Sequence, residues 1–126
     1  MSRNSSNQVD GQVLQVRLEV EYSTAEFIEL IKQAFDSLGT PDKVALLIDG
    51  SQTNVERTQE EYQQIIETFI SLADRMICLA YVTLLDKLSK IIQHGASFAE
   101  YNGLGAVKSF RDKESAQKWI RDQLKK

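Results

Sequence analysis

The sequence contains few of the residues on which metal sites, disulfide bridges and many catalytic centres depend. Its 126 residues include one cysteine and one histidine. A single cysteine excludes a disulfide within the chain, and a single histidine leaves no imidazole pair for a zinc site. A chain of this length can bury a core without a metal or disulfide. We therefore expect no cofactor, and zinc enzymes and Cys/His proteases become poor candidates.

Long apolar runs and an excess of positive charge are also missing. No stretch of about 18 apolar residues occurs, and the formal net charge is -3. We therefore expect neither a membrane span nor nucleic-acid binding. Residues 1–8 lack the apolar centre of a signal peptide, so we interpret them as a disordered tail and residues 9–126 as a single domain. With a lone thiol, the expected compartment is the cytoplasm.

Hydrophobic periodicity predicts several strands. Residues 13–22 alternate between apolar and polar side chains, which predicts a strand with one face in water. The dipeptide Asp10-Gly11 just before it favours a hairpin turn to a short strand at about residues 7–9. Continuous apolar runs at residues 44–48 and 76–82 predict strands that are buried on both faces, which is typical of a parallel sheet covered by helices.

Four further segments repeat apolar residues at helical spacing. They begin near Thr24, Thr58, Leu84 and Asp112, and Thr58 has the acidic residue three positions later that completes a capping box. A last strand is predicted at residues 104–110, before the fourth helix. The predicted fold is therefore α/β, with a mixed, mostly parallel sheet of four or five strands, four helices and a short antiparallel hairpin at its start.

Two residues inside these elements have specific expected roles in packing. Gly95 falls in the middle of the apolar face of the third helix, so its missing side chain predicts a close approach of the helix backbone to the sheet. Cys78 lies within an apolar strand, where we expect a buried and unreactive thiol.

The polar loop after the first buried strand is the candidate site for a ligand or for phosphorylation. Ligands of open α/β sheets bind beyond the carboxyl ends of the strands. This loop contains Asp49, Ser51 and Thr53 and leads to Arg57 and Thr58, which together could hold a phosphate or present a hydroxyl for phosphorylation. The alternative is that these residues are purely structural. Asp and Ser side chains hydrogen-bond to backbone amides in turns, and in this interpretation Thr58 does no more than cap the helix. The sequence leaves both interpretations open.

Familiar catalytic and nucleotide-binding motifs are missing. The segment Gly103-Leu104-Gly105 precedes a strand and does not open a helix, so it cannot act as a dinucleotide fingerprint. No phosphate-binding loop of the GxxxxGK[ST] type occurs, and no nucleophile motif accompanies His94. We therefore expect a protein that is not an enzyme.

Short motifs along most of the chain resemble a known family. The segment from Val9 to Leu18, the helix that begins at Thr24 and the strand from Val44 to Ser51, which ends in D-x-S, resemble the STAS domains of sulfate transporters and anti-sigma factor antagonists. The segment from Phe110 to Ile120 is similar to stand-alone bacterial STAS-like proteins. The resemblance implies a non-enzymatic module that binds a protein or a ligand.

The phosphorylation motif of the family is absent. In the phospho-switched members, a Ser or Thr at the start of the helix after the D-x-S strand is phosphorylated within a D-S-S-G type motif. The corresponding segment here, residues 54–59, has no such motif, and Thr58 is its one hydroxyl. The resemblance therefore implies the fold and a binding role without the switch.

Two functions follow from these observations. The first is regulatory binding of a partner protein or of a second copy of the chain. The alternative is a carrier for a small apolar molecule or lipid, because the architecture is also similar to lipid-transfer domains of the CRAL-TRIO type. Such a carrier would use a cavity between the sheet and the helices of residues 58–73 and 84–101.

Overall fold

The computed structural model describes residues 5–9, 12–18, 23–37, 43–51, 57–101 and 105–125. Strands and helices follow one another along the chain as β1 (Ser5–Val9), β2 (Val13–Arg17), α1 (Thr24–Asp36), β3 (Val44–Asp49), α2 (Gln59–Ser71), β4 (Met76–Val82), α3 (Asp86–Tyr101), β5 (Ala106–Phe110) and α4 (Lys113–Leu124). A short 3-10 turn, Ala73–Arg75, precedes β4. The α/β class and the four helices agree with the prediction.

The strands form one sheet in the order β1-β2-β3-β4-β5. The strands from β2 to β5 are parallel to one another, as predicted for most of the sheet. Leu46 of β3 lies in register between Leu14 of β2 and Leu79 of β4. Each crossover helix therefore moves the chain one strand further in the same direction.

β1 occupies one edge of the sheet and runs antiparallel to β2. Residues 5–8 belong to this strand, although the sequence analysis assigned residues 1–8 to a disordered tail. The prediction of a disordered tail is therefore wrong for residues 5–8. These residues have no apolar pattern of their own, and they are ordered because they pair with β2. The predicted turn at Asp10-Gly11 lies outside the described residues.

Each face of the sheet is covered by different helices. Leu46 and Ile48 pack with α1, α2 and α3 in the larger hydrophobic cluster. Ala45 and Leu47, which point to the opposite face, pack with α4. This arrangement follows from handedness, since successive right-handed crossovers place their helices on the same face. In the described segments, no helix is long and apolar enough to cross a membrane.

β2 is buried on both faces, so the prediction of a strand with one wet face is wrong. Gln15, which was expected in water, is 7% exposed, whereas Arg17 at the end of the strand is exposed. The reason is packing on the second face of the sheet, because Val13, which shares a face with Gln15, packs in the cluster that contains α4. Residues 19–22 of the predicted strand lie outside the described part of the chain.

Capping residues determine where three of the helices begin. The N-caps of α1, α2 and α4 are Ser23, Thr58 and Asp112, and each accepts a hydrogen bond from the backbone N–H three residues later. The starts predicted for these helices are confirmed. α3 begins at Asp86, two residues after the predicted start at Leu84. Leu84 is 53% exposed and does not belong to the apolar face of the helix.

Candidate functional site

The turn after β3 is closed by its own polar side chains. The backbone N–H and the hydroxyl of Ser51 both donate to Oδ1 of Asp49, at 3.2 and 2.7 Å. The N–H of Gly50 donates to the carbonyl oxygen of Val82 at 2.8 Å, which ties the turn to the end of β4. A β-carbon at position 50 would lie 3.1 Å from that oxygen, so glycine permits this close approach. Asp49 and Ser51 therefore form the kind of polar turn that was the structural alternative.

Thr58 and Glu61 cap the N-terminus of α2. The hydroxyl oxygen of Thr58 accepts from the N–H of Glu61 at 3.2 Å, and Oε1 of Glu61 accepts from the N–H of Thr58 at 2.9 Å. This reciprocal pair is the predicted capping box. Thr53, the remaining hydroxyl of the predicted site, lies outside the described residues.

A polar cluster joins α1 to α2. The buried hydroxyl of Thr24 donates to Oε2 of Glu61 at 2.6 Å and accepts from Nη1 of Arg57 at 2.8 Å. The guanidinium of Arg57 lies 5.8 Å from the centre of the Phe27 ring, within cation–π range. The hydrogen bond from Thr24, followed by that from the backbone of Thr58, lowers the pKa of Glu61 from its ordinary value of 4.5. Glu61 is therefore ionised at neutral pH.

An apolar cavity lies between the sheet, α2 and α3, and is termed here the α2–α3 cavity. Its volume is about 70 Å³, and it is partly open to solvent. Aliphatic and aromatic side chains form most of its wall, among them Phe27, Ile65, Phe69, Leu79, Ile92 and Val107. Protein cores rarely contain voids larger than one water molecule. The α2–α3 cavity has room for several water molecules. The α2–α3 cavity is therefore a candidate binding site.

The α2–α3 cavity is polar at one end. Gly50 and Thr83, which directly follow β3 and β4, line it together with Arg57 and Tyr62 from the start of α2. These residues lie at the carboxyl edge of the parallel strands. Phe69 lines the cavity about two helical turns further along α2. A ligand would therefore meet polar groups at one end and hydrocarbon at the other.

Gly95 on α3 faces α2 and not the sheet. The nearest atom to a β-carbon at this position would be Cδ1 of Ile66, at 3.5 Å, which is an ordinary contact. The predicted approach of the helix backbone to the sheet at Gly95 is therefore wrong. Gly95 lines the α2–α3 cavity, where its missing side chain leaves space open.

The residues predicted as a site occupy three different settings. Arg57 lines the α2–α3 cavity, Asp49 and Ser51 close the turn that contributes Gly50 to it, and Thr58 caps α2. The structure thus brings Gly50 of the turn and the start of α2 to one end of the cavity. Of these residues, Arg57 contributes a charge to the cavity wall.

The sequence analysis stated where a carrier of this architecture would have its cavity, but it did not show that a cavity exists or identify its wall. Phe27, Leu79 and Val107 were indistinguishable from ordinary core residues, because periodicity shows that a side chain is buried and not whether its neighbours fill the space around it. The signal that could have revealed the cavity is Gly95, since a glycine in an apolar helix face removes side-chain volume.

Groups suited to metal binding or nucleophilic chemistry are scarce. In the part of the chain that the structure describes, no three His, Cys, Asp or Glu residues cluster as metal ligands. Cys78 is buried in β4, and burial raises its pKa to about 11. Its thiol is therefore protonated at neutral pH, and the predicted burial is confirmed. His94 is exposed on α3.

Comparison with known proteins identifies the fold of the chain. No family model matches the sequence, and no curated protein matches it. Among solved structures, the chain is similar to an uncharacterised protein of the DUF3478 family from Shewanella loihica that has a SpoIIAA-like fold. The two share 15% sequence identity with a TM-score of 0.58, over 93% of this chain and 91% of that chain. The chain thus has the SpoIIAA-like, or STAS-like, fold that the sequence motifs implied.

Proposed function

We propose that this protein is a non-enzymatic regulatory module that binds a small apolar molecule in the α2–α3 cavity. The observation that carries the proposal is the cavity itself, which has a hydrocarbon wall and an opening to solvent. An apolar ligand gains free energy on leaving water for such a wall. The STAS-like fold supports a regulatory role by analogy alone.

The size of the α2–α3 cavity defines the class of ligand. Its volume of about 70 Å³ is smaller than the roughly 150 Å³ of an engineered cavity that holds benzene. A ligand with a longer chain therefore requires α2 and α3 to move apart. Each buried methylene contributes about 0.8 kcal/mol, offset by the loss of motion. We expect dissociation constants between micromolar and millimolar.

The regulatory part of the proposal concerns a partner protein or a second copy of the chain. Among the described residues, Leu84 is the large apolar side chain that stands exposed, and its neighbour Leu85 lines the α2–α3 cavity. A ligand that displaces the start of α3 would also displace Leu84. We propose that a partner senses occupancy of the cavity at this point.

A phosphorylation switch receives less support from the geometry. The hydroxyl of Ser51 donates to Asp49, and that of Thr58 caps α2. A phosphate on Ser51 would bring further negative charge to the Asp49 carboxyl group, and a phosphate on Thr58 would do the same at Glu61. We therefore propose ligand occupancy, and not phosphorylation, as the input.

Two measurements test the proposal. Native mass spectrometry of protein purified gently from its own host should reveal a retained apolar molecule at one per chain. Titration with N-phenyl-1-naphthylamine, an uncharged fluorescent dye that is larger than the cavity and enters as α2 and α3 move apart, should show saturable binding at the same stoichiometry. A chain that carries no ligand and shows no saturable dye binding would overturn the proposal.

A pair of leucine variants locates the binding. Gly95→Leu should fill the α2–α3 cavity and weaken dye binding by roughly tenfold or more, because its side chain occupies the space next to Ile66. Gln93→Leu is the matched control, since it adds the same side chain at an exposed position of the same helix. Circular dichroism should show both variants folded. Equal dye binding by Gly95→Leu and the unaltered protein would place the ligand elsewhere.

A further inference from the structure

Apolar side chains of α2 and α3 remain partly exposed where the α2–α3 cavity meets solvent. Leu79 and Tyr81, which line the cavity from the sheet, are buried. In contrast, the lining residues Leu88 and Ile91 of α3 and Ile66 of α2 are half-buried. In the part of α3 whose side chains the structure describes, residues 86–95, none is buried. Both helices therefore leave apolar surface in water, and covering this surface would be favourable.

The exposed sides of these two helices carry charges of opposite sign. α2 contains three Glu residues and neither Lys nor Arg. Glu61 is turned toward α1, whereas Glu60 and Glu67 are exposed to solvent. The first two turns of α3 contain Lys87 and Lys90, and both are exposed. The apolar opening thus lies between an acidic helix and the basic start of its neighbour.

The acidic residue at the start of α3 is engaged elsewhere. Asp86 forms an ion pair with Arg111, which follows β5. This pair offsets the charge of Asp86, so that Lys87 and Lys90 leave the start of α3 positive. A surface with one acidic half and one basic half is complementary to a second copy of itself after a half-turn rotation.

A two-fold axis parallel to the helices would bring the opposite charges together. α2 and α3 follow parallel strands on one face of the sheet, so they run in the same direction and begin at the same edge. Rotation about an axis between them places α2 of each copy on α3 of the other. Glu60 and Lys87, each the second residue of its helix, would then meet, and Glu67 would lie about one turn beyond Lys90.

We infer that the exposed sides of these helices, termed here the α2–α3 face, bind a second copy of the chain, with α2 of each copy against α3 of the other. The inference rests on the proposed function only in naming its partner, and it does not require an occupied cavity. An axis perpendicular to the helices would instead place α2 on α2, where like charges repel.

The dimensions of the α2–α3 face define the strength of this dimer. A helix of 13 residues, such as α2, is about 20 Å long, and two helices side by side are about 20 Å wide. The face therefore offers about 400 Å² per copy, whereas a stable interface buries about 800 Å² per partner. We expect a weak dimer that forms at tens to hundreds of micromolar.

Sedimentation equilibrium from micromolar to millimolar protein tests the inference. The unaltered protein should show a reversible monomer–dimer equilibrium that added salt weakens, because the paired charges are exposed. Lys87→Glu with Lys90→Glu, termed the α3 reversal, places an acidic α3 against the acidic α2 and should weaken the dimer roughly tenfold or more. The control is Lys118→Glu with Arg121→Glu, an equal change of charge on the exposed side of α4, across the sheet.

A second pair of substitutions tests which helices meet. Glu60→Lys with Glu67→Lys, termed the α2 reversal, should also weaken the dimer, because it places a basic α2 against the basic start of α3. A mixture of the α2 reversal and the α3 reversal should form a mixed dimer, since opposite charges then meet at both contacts. Circular dichroism should show each variant folded, and recovery in the mixture itself requires folded chains.

The outcomes separate this inference from the proposed function. A chain that stays monomeric at millimolar concentration would overturn the inference, and saturable dye binding by that monomer would leave the cavity as the proposed binding site. A dimer that both reversals leave unchanged, or that both abolish without recovery in the mixture, would overturn the pairing of α2 with α3. Recovery in the mixture, with the α4 control unchanged, would support the inference. A dimer of this kind that binds no dye and retains no ligand would overturn the proposed ligand alone.

Discussion

The hydroxyl of Thr24 donates to the carboxylate of Glu61 across 2.6 Å and so connects α1 to α2 beside the α2–α3 cavity. Thr24 is 6% exposed, and its hydroxyl also accepts from Arg57. Water therefore has little access to the Thr24 hydroxyl itself. This cluster therefore anchors the start of α2 to α1. It also includes Arg57, which lines one end of the cavity.

Replacing Thr24 with valine tests how much this cluster contributes to the free energy of unfolding. The substitution preserves the shape of the side chain but leaves the acceptor on Glu61 and the donor on Arg57 without Thr24 as partner. We expect the free energy of unfolding to fall by about 1–3 kcal/mol in urea denaturation. Thr68→Val is the control, because the hydroxyl of Thr68 bonds to the carbonyl of Gln64 within α2. Equal small losses in both variants would contradict the anchoring role.

Acid should weaken the contribution of Glu61 to stability. Its pKa is lowered in the folded protein, first by the hydrogen bond from Thr24. A lowered folded-state pKa means that the stabilisation is complete above the ordinary value of 4.5 and is lost as the pH falls through the folded-state value. The stability difference between the unaltered protein and Glu61→Gln should therefore shrink below that pH in urea denaturation.

The neighbouring position supplies the control for this pH dependence. Glu60→Gln removes an equal charge from the first turn of α2 without removing the acceptor of Thr24. The effect specific to Glu61 is the part that exceeds the change seen in Glu60→Gln. A stability difference for Glu61→Gln that stays constant from neutral to acidic pH would contradict the lowered pKa.

Two glycines should respond to alanine in opposite directions. A β-carbon at Gly105 would overlap the backbone carbonyl of Ile77, which cannot yield as a flexible side chain can, so Gly105→Ala should cost about 3 kcal/mol or more. At Gly95 the added carbon meets Ile66 at an ordinary distance. Alanine is favoured over glycine in helices by about 0.8–1.0 kcal/mol, so Gly95→Ala should stabilise. Thermal unfolding distinguishes the two, and a loss of stability in both would contradict the assigned packing.

The N-cap of α2 should be measurable on its own. Thr58→Ala removes the acceptor of the N–H of Glu61 and should reduce the free energy of unfolding by about 1 kcal/mol. Thr58→Ser keeps the hydroxyl and should retain most of the stability. Chemical denaturation of the two variants provides the comparison. Equal stability of the alanine variant and the unaltered protein would show that this cap contributes nothing.

The thiol of Cys78 should be unreactive in the folded protein. Burial both shields it and raises its pKa to about 11, so little thiolate exists at neutral pH. We expect the Cys78 thiol not to react with dithiobis(nitrobenzoate) until the chain is unfolded in guanidinium chloride. A Leu84→Cys variant is the positive control, because it places a second thiol at an exposed position. Rapid labelling of Cys78 in the unaltered folded protein would contradict its burial.

Local signals in the sequence account for most of the secondary structure. The apolar runs of β3 and β4 are strands in the structure, and the start of α2 follows Thr58 as the capping box indicates. These features depend on residues close together in the chain. The D-x-S motif that ends β3 and the motifs near Phe110 also pointed to the STAS-like fold.

The burial of Gln15 and the direction that Gly95 faces could not be obtained in this way. Gln15 lies on the face of β2 whose Val13 packs in the cluster with α4, and Gly95 faces Ile66 because α2 lies beside α3. Both facts depend on segments that are distant in the chain. A periodic pattern shows which side of an element is apolar, but not which element covers it.

The sequence alone was enough to determine the order of strands and helices, the cap of α2 and the fold class, because these depend on periodicity and on hydrogen bonds between near neighbours. The tertiary structure alone decided that α2 and α3 leave a cavity over β4 and β5, and that Arg57 stands at its polar end. Whether side chains fill a space depends on how three separate elements are placed together. A local signal such as Gly95 shows that one element lacks side-chain volume, but not whether a neighbouring element fills the space.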